Sequence, residues 1–284
     1  MSLATFVPEI WSAVLLSSLK KAEVFAKLAN RNYEGEIANQ GDTVHITSVS
    51  RPTVNSYTVG QTITVQSLQT ADRQLTIGNA DYFAFEVDDI DKRQAAGSVL
   101  EEALTEASYG LADKVDILLA GQYVNVQAAN QVNAGAAVSV TTGDIAYTQM
   151  TQLKRKCDEA NIPMIGRWVV IPPWYHALLL DTNKFAANPA LAGTAQAELA
   201  LIEGYVGKVV GFDVYVSNNA VNVSGVQYIC LAGTSNALTF AEQINQVEAY
   251  RLQTSFADAI RGLHLYGFKV TRPDGLAYLL ASQT

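Results

Sequence analysis

Side chains that could do chemistry are few in this sequence and lie far apart. The histidines are His45, His176 and His264, and no two of them have the spacing of zinc ligands. The cysteines, Cys157 and Cys230, fall on a predicted helix face and in a predicted strand, so we expect both thiols to be buried and unreactive. These residues indicate packed or surface side chains rather than a metal or nucleophilic site.

Carboxylates and glycines do not form a recognisable site either. Asp88, Asp89 and Asp91 lack the spacing of a calcium-binding loop, and acidic residues at this point favour the start of a following helix. The glycines of 204–211 lack the pattern of a phosphate-binding loop. We therefore predict no catalytic residue, no metal ligand and no cofactor site. An enzyme whose groups converge from distant positions stays an alternative.

The composition fits two kinds of protein, one of them a subunit that is covered by neighbours. Of the 284 residues, 49% are hydrophobic and only 16% are charged, against roughly 25% charged residues in typical soluble domains. Subunit contacts would explain this, because interface cores are depleted in charge. A large-cored monomer with a neutral polar surface explains it equally well. The net charge of −8 disfavours a sequence-specific DNA reader, which needs a basic stripe.

The sequence predicts a soluble chain without a leader or membrane span. The apolar stretch near the N terminus contains Glu9 and has no basic region before it, which disfavours a signal peptide. The uncharged runs 117–143 and 214–241 contain many Asn, Gln, Ser, Thr and Gly residues, which disfavours a membrane helix. Two cysteines without a disulfide framework fit a reducing compartment.

Apolar spacing predicts a helix and a ribbon in the first part of the chain. Residues 1–30 have the steps of an amphipathic helix, which fits an arm lying on a neighbouring subunit or an ordinary packed helix. Apolar and polar residues then alternate, which predicts strands around Val44, Ile63 and Leu75. Because the stretch 51–60 is polar, this ribbon would be only marginally stable by itself. It would gain stability by packing against the rest of its own subunit or against a neighbouring subunit.

The clearest single element is a long helix over 91–120. Its apolar residues recur at steps of three and four, and Gly121 is placed to end it. At the rise of an α-helix it would be about 45 Å long, which suits a spine across an elongated subunit. A strand at 82–87 precedes it, and a loop at 122–143 follows it.

The rest of the chain predicts a mixed α/β unit and then returning strands. Helices at 144–159 and 174–180 flank a strand at 167–171, and Pro163 is expected to stop the first helix. The strands that complete this unit are predicted at 207–216 and 226–231. The strands expected to return to the first lobe are 238–240, 244–252, 264–270 and 276–281. The predicted fold class is α+β.

Two stretches resemble the major capsid proteins of tailed bacteriophages, whose Hong Kong 97-type fold is shared with the encapsulins. Residues 204–219 (GYVGKVVGFDVYVSNN) are similar to a strand–turn–strand of the axial, or A, domain. Residues 237–244 (ALTFAEQI) through 266–270 (YGFKV) to Pro273 are similar to the stretch that returns to the peripheral, or P, domain. The order of predicted elements is similar over nearly the whole chain.

The resemblance implies a capsid fold with an arm and an extended loop that reach over neighbours, and with A domains that meet around fivefold and sixfold axes. The implied segments are an N-arm at 1–40, an extended E-loop at 41–80, a first part of the P domain at 81–139 with the spine helix at 91–120, an A domain at 140–236, and P-domain return strands at 237–284. The side chains we expect in intersubunit contacts are Trp11, Arg51, Val54, Tyr57, Ile63, Arg73, Glu101 and Arg167.

The implied function is that of a structural protein in the virion. Copies would form hexamers and pentamers of an icosahedral shell, assembled in the host bacterial cytoplasm, around double-stranded DNA that they contact non-specifically. The implied partners are other copies, a portal and a scaffolding protein. The scaffolding protein is expected to be separate, because the chain starts directly with the arm. No membrane, cofactor or small-molecule substrate is implied.

One family feature does not fit this sequence. Some members crosslink through a lysine of the E-loop, but no lysine occurs here between Lys27 and Lys92. We therefore expect subunits that separate in hot denaturant.

Three other functions stay open at this point. An encapsulin-like compartment would hold one enzyme rather than DNA and scaffold. A soluble α/β enzyme or binding protein would remain a monomer with a saturable ligand. A tail-tube or surface-layer subunit would form tubes or flat lattices.

Overall fold

The computed structural model describes residues 24–33, 43–49, 52–63, 65–67, 70–88, 99–182, 205–252 and 257–283. The helices in these ranges are α1 (Phe25–Leu28), α2 (Val99–Ala120), α3 (Gly143–Glu159) and α4 (Pro173–Leu180). The strands are β1 (Thr43–Val49), β2 (Thr70–Thr76), β3 (Asn79–Asp88), β4 (Val138–Ser139), β5 (Arg167–Ile171), β6 (Tyr205–Val209), β7 (Phe212–Val216), β8 (Gln227–Thr234), β9 (Leu238–Arg251), β10 (Ala257–Val270) and β11 (Leu276–Ser282).

The larger sheet has six strands in the order β4-β11-β8-β5-β7-β6. Its central strands are nearly uninterrupted apolar runs, RWVVI in β5 and LAYLLAS in β11, which is typical of strands with both faces covered. On one face, Met150 and Leu153 of α3 pack with Val169 of β5. On the other face, Val170 clusters with residues of α1 and of the end of α2, because successive residues of a strand point to opposite faces.

The smaller sheet is antiparallel, in the order β3-β10-β9, and its strands β9 and β10 have 14 residues each. One face is covered by α2, whose Leu104 and Leu111 pack with Val247 and Ile260. The 22 residues of α2 extend about 33 Å. Because its last turn contributes Leu119 to the cluster beneath the larger sheet, α2 connects the two sheets.

The strands β1 and β2 form a separate antiparallel ribbon. Its base is buried, because Val44 and Leu75 pack against Leu265 of β10. Ile260, which packs against α2, and Leu265, which packs against the ribbon base, are five residues apart in β10, so their side chains point to opposite faces. The ribbon base and α2 therefore cover opposite faces of the smaller sheet.

The helix ends use the signals that the sequence contains. The hydroxyl of Thr142 accepts a hydrogen bond from the Ile145 N–H and caps α3. Pro173 occupies the first turn of α4, and Gly121 follows the last residue of α2. No described helix is both long enough and apolar enough to cross a bilayer.

Most predicted elements are confirmed with small shifts at their ends. The described part of the long helix, α2, lies within the predicted 91–120, and residues 89–98 lie outside the described ranges. The predicted loop at 122–143 contains three short 3-10 turns and β4. The C-terminal strands are longer than predicted, and β9 is one strand with a register shift rather than two.

The predicted strand around Ile63 is wrong. The described residues between β1 and β2 form no strand, and β2 begins only at Thr70. Alternating polarity shows which side chains could share a face, but a strand also needs a partner that supplies backbone hydrogen bonds. The described residues around Ile63 have no such partner strand.

The last strand does not return to the smaller sheet as we expected. β11 lies between β8 and β4 in the larger sheet. Its apolar side chains alternate between the clusters on the two faces of that sheet, with Leu279 on one side and Tyr278 on the other. A strand of this composition needs two covered faces, and the larger sheet supplies both.

We predict that Gly262→Ala destabilises the subunit by about 1–3 kcal/mol, the usual cost of overpacking a core. A Cβ atom at Gly262 would stand 2.2 Å from the Phe83 ring, whereas one at Gly110 in α2 would meet nothing within 4 Å. Gly110→Ala is therefore the matched control, and it should stabilise the helix by up to about 1 kcal/mol. Urea unfolding of the unassembled subunit measures both, and equal effects of the two variants would contradict the packing.

Candidate intersubunit surface

The loop between β1 and β2 presents apolar side chains to solvent. Every described residue of 52–63 and 65–67, which we call the ribbon tip, is exposed. Val59 is 98% exposed and Ile63 is 76% exposed. The other large apolar side chains exposed there are Val54, Tyr57 and Val65. Because a soluble monomer seldom leaves a group of apolar side chains uncovered, the ribbon tip is a candidate contact surface.

The ribbon tip is organised by its own polar groups. The Gln61 N–H donates to the Thr58 carbonyl at 3.0 Å, and Gly60 between them has φ of +91°. This geometry is that of a turn in which the third residue must tolerate positive φ. Further back, the Thr53 N–H donates to Oε1 of Gln66 at 3.0 Å. These bonds define the tip without burying its apolar side chains.

Seven of the eight predicted contact residues fall into three groups. Val54, Tyr57 and Ile63 are exposed on the ribbon tip. Arg73 is at the ribbon base, half-buried, and its Nη1 donates to the Val270 carbonyl at 3.4 Å. The residues outside what the structure describes are Trp11, Arg51 and the side chain of Glu101.

Arg167 has no free surface for a neighbour, so its expected intersubunit role is corrected. Its side chain is 2% exposed. The guanidinium donates to Oδ1 of Asp158 at 2.6 Å and to the carbonyls of Pro163 and Ile162. The hydrogen bond and charge of Arg167 lower the pKa of Asp158. Arg167 therefore fixes the turn between α3 and β5 within its own subunit.

A buried carboxylate holds α1 in place. Asp116 of α2 accepts hydrogen bonds from the Val24 N–H at 3.1 Å and the Phe25 N–H at 2.7 Å. The Asn219 amide donates to Asp116 at 3.1 Å and to Asp113 at 2.8 Å. Burial raises the pKa of Asp116, although these donors act to lower it. Three donors from two segments therefore compensate for a carboxylate that is costly to bury.

A second buried polar group joins the segment after α1 to the smaller sheet. Arg31 forms an ion pair with Glu242 of β9 and lies over the Phe240 ring at 5.2 Å. Nε2 of the buried His264 lies 3.4 Å from the other carboxylate oxygen of Glu242. Burial lowers the pKa of His264 to about 4, and Asp81 opposite it acts in the other direction. The imidazole is therefore neutral near pH 7.

Asp81 extends this group towards α2. The Tyr266 hydroxyl donates to Oδ2 of Asp81 at 2.8 Å, and Lys114 of α2 pairs with Oδ1. Burial alone would raise the pKa of Asp81, but hydrogen bonds from Lys114 and Tyr266 lower it. Charged groups from four segments thus meet at one end of the smaller sheet.

The described residues show no constellation suited to catalysis. They contain no group of three or more His, Cys, Asp and Glu side chains that could hold a metal ion. The predicted burial of Cys157 and Cys230 is confirmed, and burial raises both pKa values, that of Cys157 to about 12. Thiols of this kind remain protonated near neutral pH.

Sequence reasoning missed two exposed side chains and both buried polar groups. Met164 and Ile165 stand in solvent just before β5. The turn residues around them, Pro163 and Gly166, were the available signal for an exposed loop. Asp116 and Glu242 gave no signal, because their partners lie 91 and 211 residues away in the chain.

A family model described as phage capsid protein matches residues 76–279. A solved structure from Mycobacterium phage Che8 is 32% identical, with a TM-score of 0.72 and 98% of each chain covered. A capsid structure of the cyanophage P-SCSP1u is 18% identical, with a TM-score of 0.68 over 93% of this chain and 89% of that one. No curated protein matches.

A virus-like particle from Pyrococcus furiosus has the same fold. It is 12% identical to this chain, with a TM-score of 0.60, and the match covers 96% of this chain and 98% of that one. At this identity the likeness concerns the fold alone.

We predict that the subunit loses up to about 3 kcal/mol of unfolding free energy as the pH falls from 6.5 to 4, because His264 takes up a proton only when it unfolds. The depressed pKa of His264 makes the unfolded chain the better proton acceptor in this range, so stability decreases on acidification. His264→Met should reduce this dependence, and His45→Gln at an exposed position should not. Urea unfolding of the unassembled subunit at several pH values measures it; equal slopes for all three proteins would contradict the prediction.

Proposed function

Because this chain belongs to the phage capsid protein family, we propose that its copies form the hexamers and pentamers of an icosahedral shell around double-stranded DNA. It is the major capsid protein of a tailed bacteriophage and is located in the virion. The exposed ribbon tip carries the proposal for how copies associate. Its apolar side chains have no packing partner among the described residues of their own chain, and a neighbouring copy would cover them.

We propose five segments with the boundaries expected from the sequence and one change. The N-arm is 1–40, the E-loop is 41–80, the first part of the P domain is 81–139, the A domain is 140–236 and the return strands begin at 237. The change is that β11 belongs with the A domain, because it pairs with β8 and β4. The proposed contact residues are Trp11, Arg51, Val54, Tyr57, Ile63, Arg73 and Glu101.

The further partners are also proposals. A separate scaffolding protein would guide assembly in the host bacterial cytoplasm, and a portal would occupy one vertex. The net charge of −8 favours weak, non-specific contact with packaged DNA. A capsid protein has a structural role, and we propose that this chain catalyses no reaction.

An encapsulin-like compartment is the second candidate, and the shared fold with the Pyrococcus furiosus particle is what favours it. The higher identity to the Che8 structure favours a phage capsid. The contents of shells isolated from the source distinguish the two functions. A phage shell would contain DNA or scaffolding protein, whereas a compartment would contain one enriched enzyme.

We predict that the wild-type chain forms closed shells or rings and that Ile63→Asp does not. Burying a charge at a subunit contact is unfavourable, and losing one buried isoleucine costs about tenfold in affinity per contact. Sedimentation and negative-stain electron microscopy measure assembly, with scaffolding protein added where the wild type needs it. Ile63→Thr keeps the branched shape without charge and should assemble far better than the aspartate variant.

The unassembled Ile63→Asp subunit should unfold like the wild type, because Ile63 is exposed in the single chain. Normal assembly of Ile63→Asp would contradict the proposed contact. A wild-type chain that stays monomeric even with scaffolding protein would contradict the proposed function.

We predict that shells boiled in detergent release single chains. Because no lysine occurs between Lys27 and Lys92, the E-loop cannot supply the amine for an isopeptide crosslink. Denaturing gel electrophoresis of assembled shells should therefore show one band at the mass of a single chain. A ladder of covalent multimers would contradict this.

A further inference from the structure

A groove between α3 and residues 132–138 is lined by side chains that the proposed function does not use. Its volume is about 380 Å³. One side is bounded by Val132 and by Val138 of β4. The other side contains Gln149, Gln152 and Lys156 of α3, which are three and four residues apart and therefore lie along one face of the helix. A cavity of this volume is within the range of ligand-binding sites.

The amides of the groove are available to a ligand. The side chains of Gln149, Gln152 and Asn133 form no hydrogen bond within the part of the chain that the structure describes. Each carboxamide can donate and accept at once, which matches the N–H and C=O groups of a peptide backbone. Asn133 and the following Ala134 have φ of +51° and +52°. This costly backbone conformation holds Asn133 at the groove, opposite α3.

The end of α3 brings positive charge to the groove. Arg155 and Lys156 both have Glu159 as their carboxylate partner, at 3.4 and 3.9 Å. These distances are longer than those of close charge-assisted hydrogen bonds. The next carboxylate, Asp158, is held by Arg167 at 2.6 Å. Two cations therefore share one carboxylate at the groove, in a chain whose net charge is −8. A ligand with carboxylates complements this charge.

The groove also borders an open edge of the larger sheet. β4 is the outermost strand of that sheet, and among the described strands it pairs only with β11. The Val140 N–H points towards β11 and donates to the Ser282 carbonyl. Ser139, one residue earlier, therefore directs its backbone N–H and C=O to the open edge. Because Val138 of this strand lines the groove, an extended segment can pair with the edge while its side chains reach α3.

We propose that this groove binds an extended acidic segment of a partner protein. The carboxylates of the segment pair with Arg155 and Lys156, and its backbone binds the glutamine amides and the edge of β4. A nucleic acid fits less well, because the described lining contains no aromatic side chain on which a base can stack. The inference goes beyond the shell function and does not require it, since all of these residues belong to one subunit.

The test is fluorescence anisotropy with a labelled peptide of alternating threonine and glutamate, titrated with the unassembled wild-type subunit. In an extended chain of this pattern all the carboxylates lie on one face. We expect saturable binding that weakens as salt is added, because salt screens the attraction between charges. No saturable binding at millimolar peptide would overturn the proposal.

Two control peptides separate the charge from the backbone. A peptide of alternating threonine and glutamine has no charge and should bind much more weakly. A peptide in which prolines replace the threonines keeps its carboxylates but lacks alternate backbone N–H groups, so it should also bind more weakly. Binding of either control as tight as that of the acidic peptide would contradict the proposed recognition.

Variants of α3 locate the site. Lys156→Gln should weaken binding of the acidic peptide about tenfold, the effect of losing a hydrogen bond to a charged group, and Gln152→Ala about fivefold. The matched control is Lys154→Gln, which removes the same charge from the adjacent residue, whose ammonium pairs with Asp158 and does not line the groove. Urea unfolding checks that each variant is folded. Equal losses for Lys154→Gln and Lys156→Gln would show general attraction to basic residues and would overturn the proposal.

Two further measurements distinguish a partner protein from other occupants. Assembled shells should bind the acidic peptide as the unassembled subunit does, and loss of binding in shells would show that a neighbouring copy covers the groove instead. A single-stranded oligonucleotide should displace the labelled peptide less effectively than the unlabelled peptide does, and equal or better displacement would assign the groove to nucleic acid. If the chain forms no shells, the proposed function fails, but the titration of the subunit still decides this inference.

Discussion

The arrangement of the subunit depends on the buried carboxylate of Asp116. This one side chain accepts hydrogen bonds from the start of α1 and from Asn219 after β7, while it belongs to the helix that connects both sheets. Burial raises its pKa, so the carboxylate is stable there only while its donors stay in place. If one segment moved away, polar groups of the others would be left unsatisfied. The start of the described chain is therefore fixed by the same contact that orients α2.

Polar and apolar groups are distributed in a way that suits a shell subunit. Inside, the ion pair of Arg31 and Glu242 brings charge into the contact between the first described segment and the smaller sheet, beside the neutral imidazole of His264. Outside, the ribbon tip presents apolar side chains to solvent, and so do Met164 and Ile165 in the turn before β5. The buried charges fix segments within the subunit, and the exposed apolar groups gain from covering by other copies. The small charged fraction of 16% fits the proposed intersubunit contacts, because interface cores are depleted in charge.

The elements that could be predicted from the sequence are those whose apolar spacing directly reflects which of their side chains are buried. The helices at 144–159 and 174–180 and the buried strand at 167–171 are confirmed, because a core face or an apolar run is a local property of the chain. The position of β11 and the burial of Arg167 depend on partners brought together by the whole fold. The apolar run of β11 indicated two covered faces but not which sheet would supply them. An arginine at the start of a buried strand is interpreted as a surface charge unless its partner is known, and here the partner, Asp158, comes from the end of α3.

The ribbon tip extends from a base that is anchored in the core of the subunit. Val44 and Leu75 pack against Leu265 of β10, and Nη1 of Arg73 donates to the Val270 carbonyl. A two-stranded ribbon is marginally stable alone, so the attachment of its base and the cover that a neighbouring copy would supply at its tip both stabilise it. In the proposed shell, assembly would therefore stabilise the ribbon of each subunit as well as join the subunits.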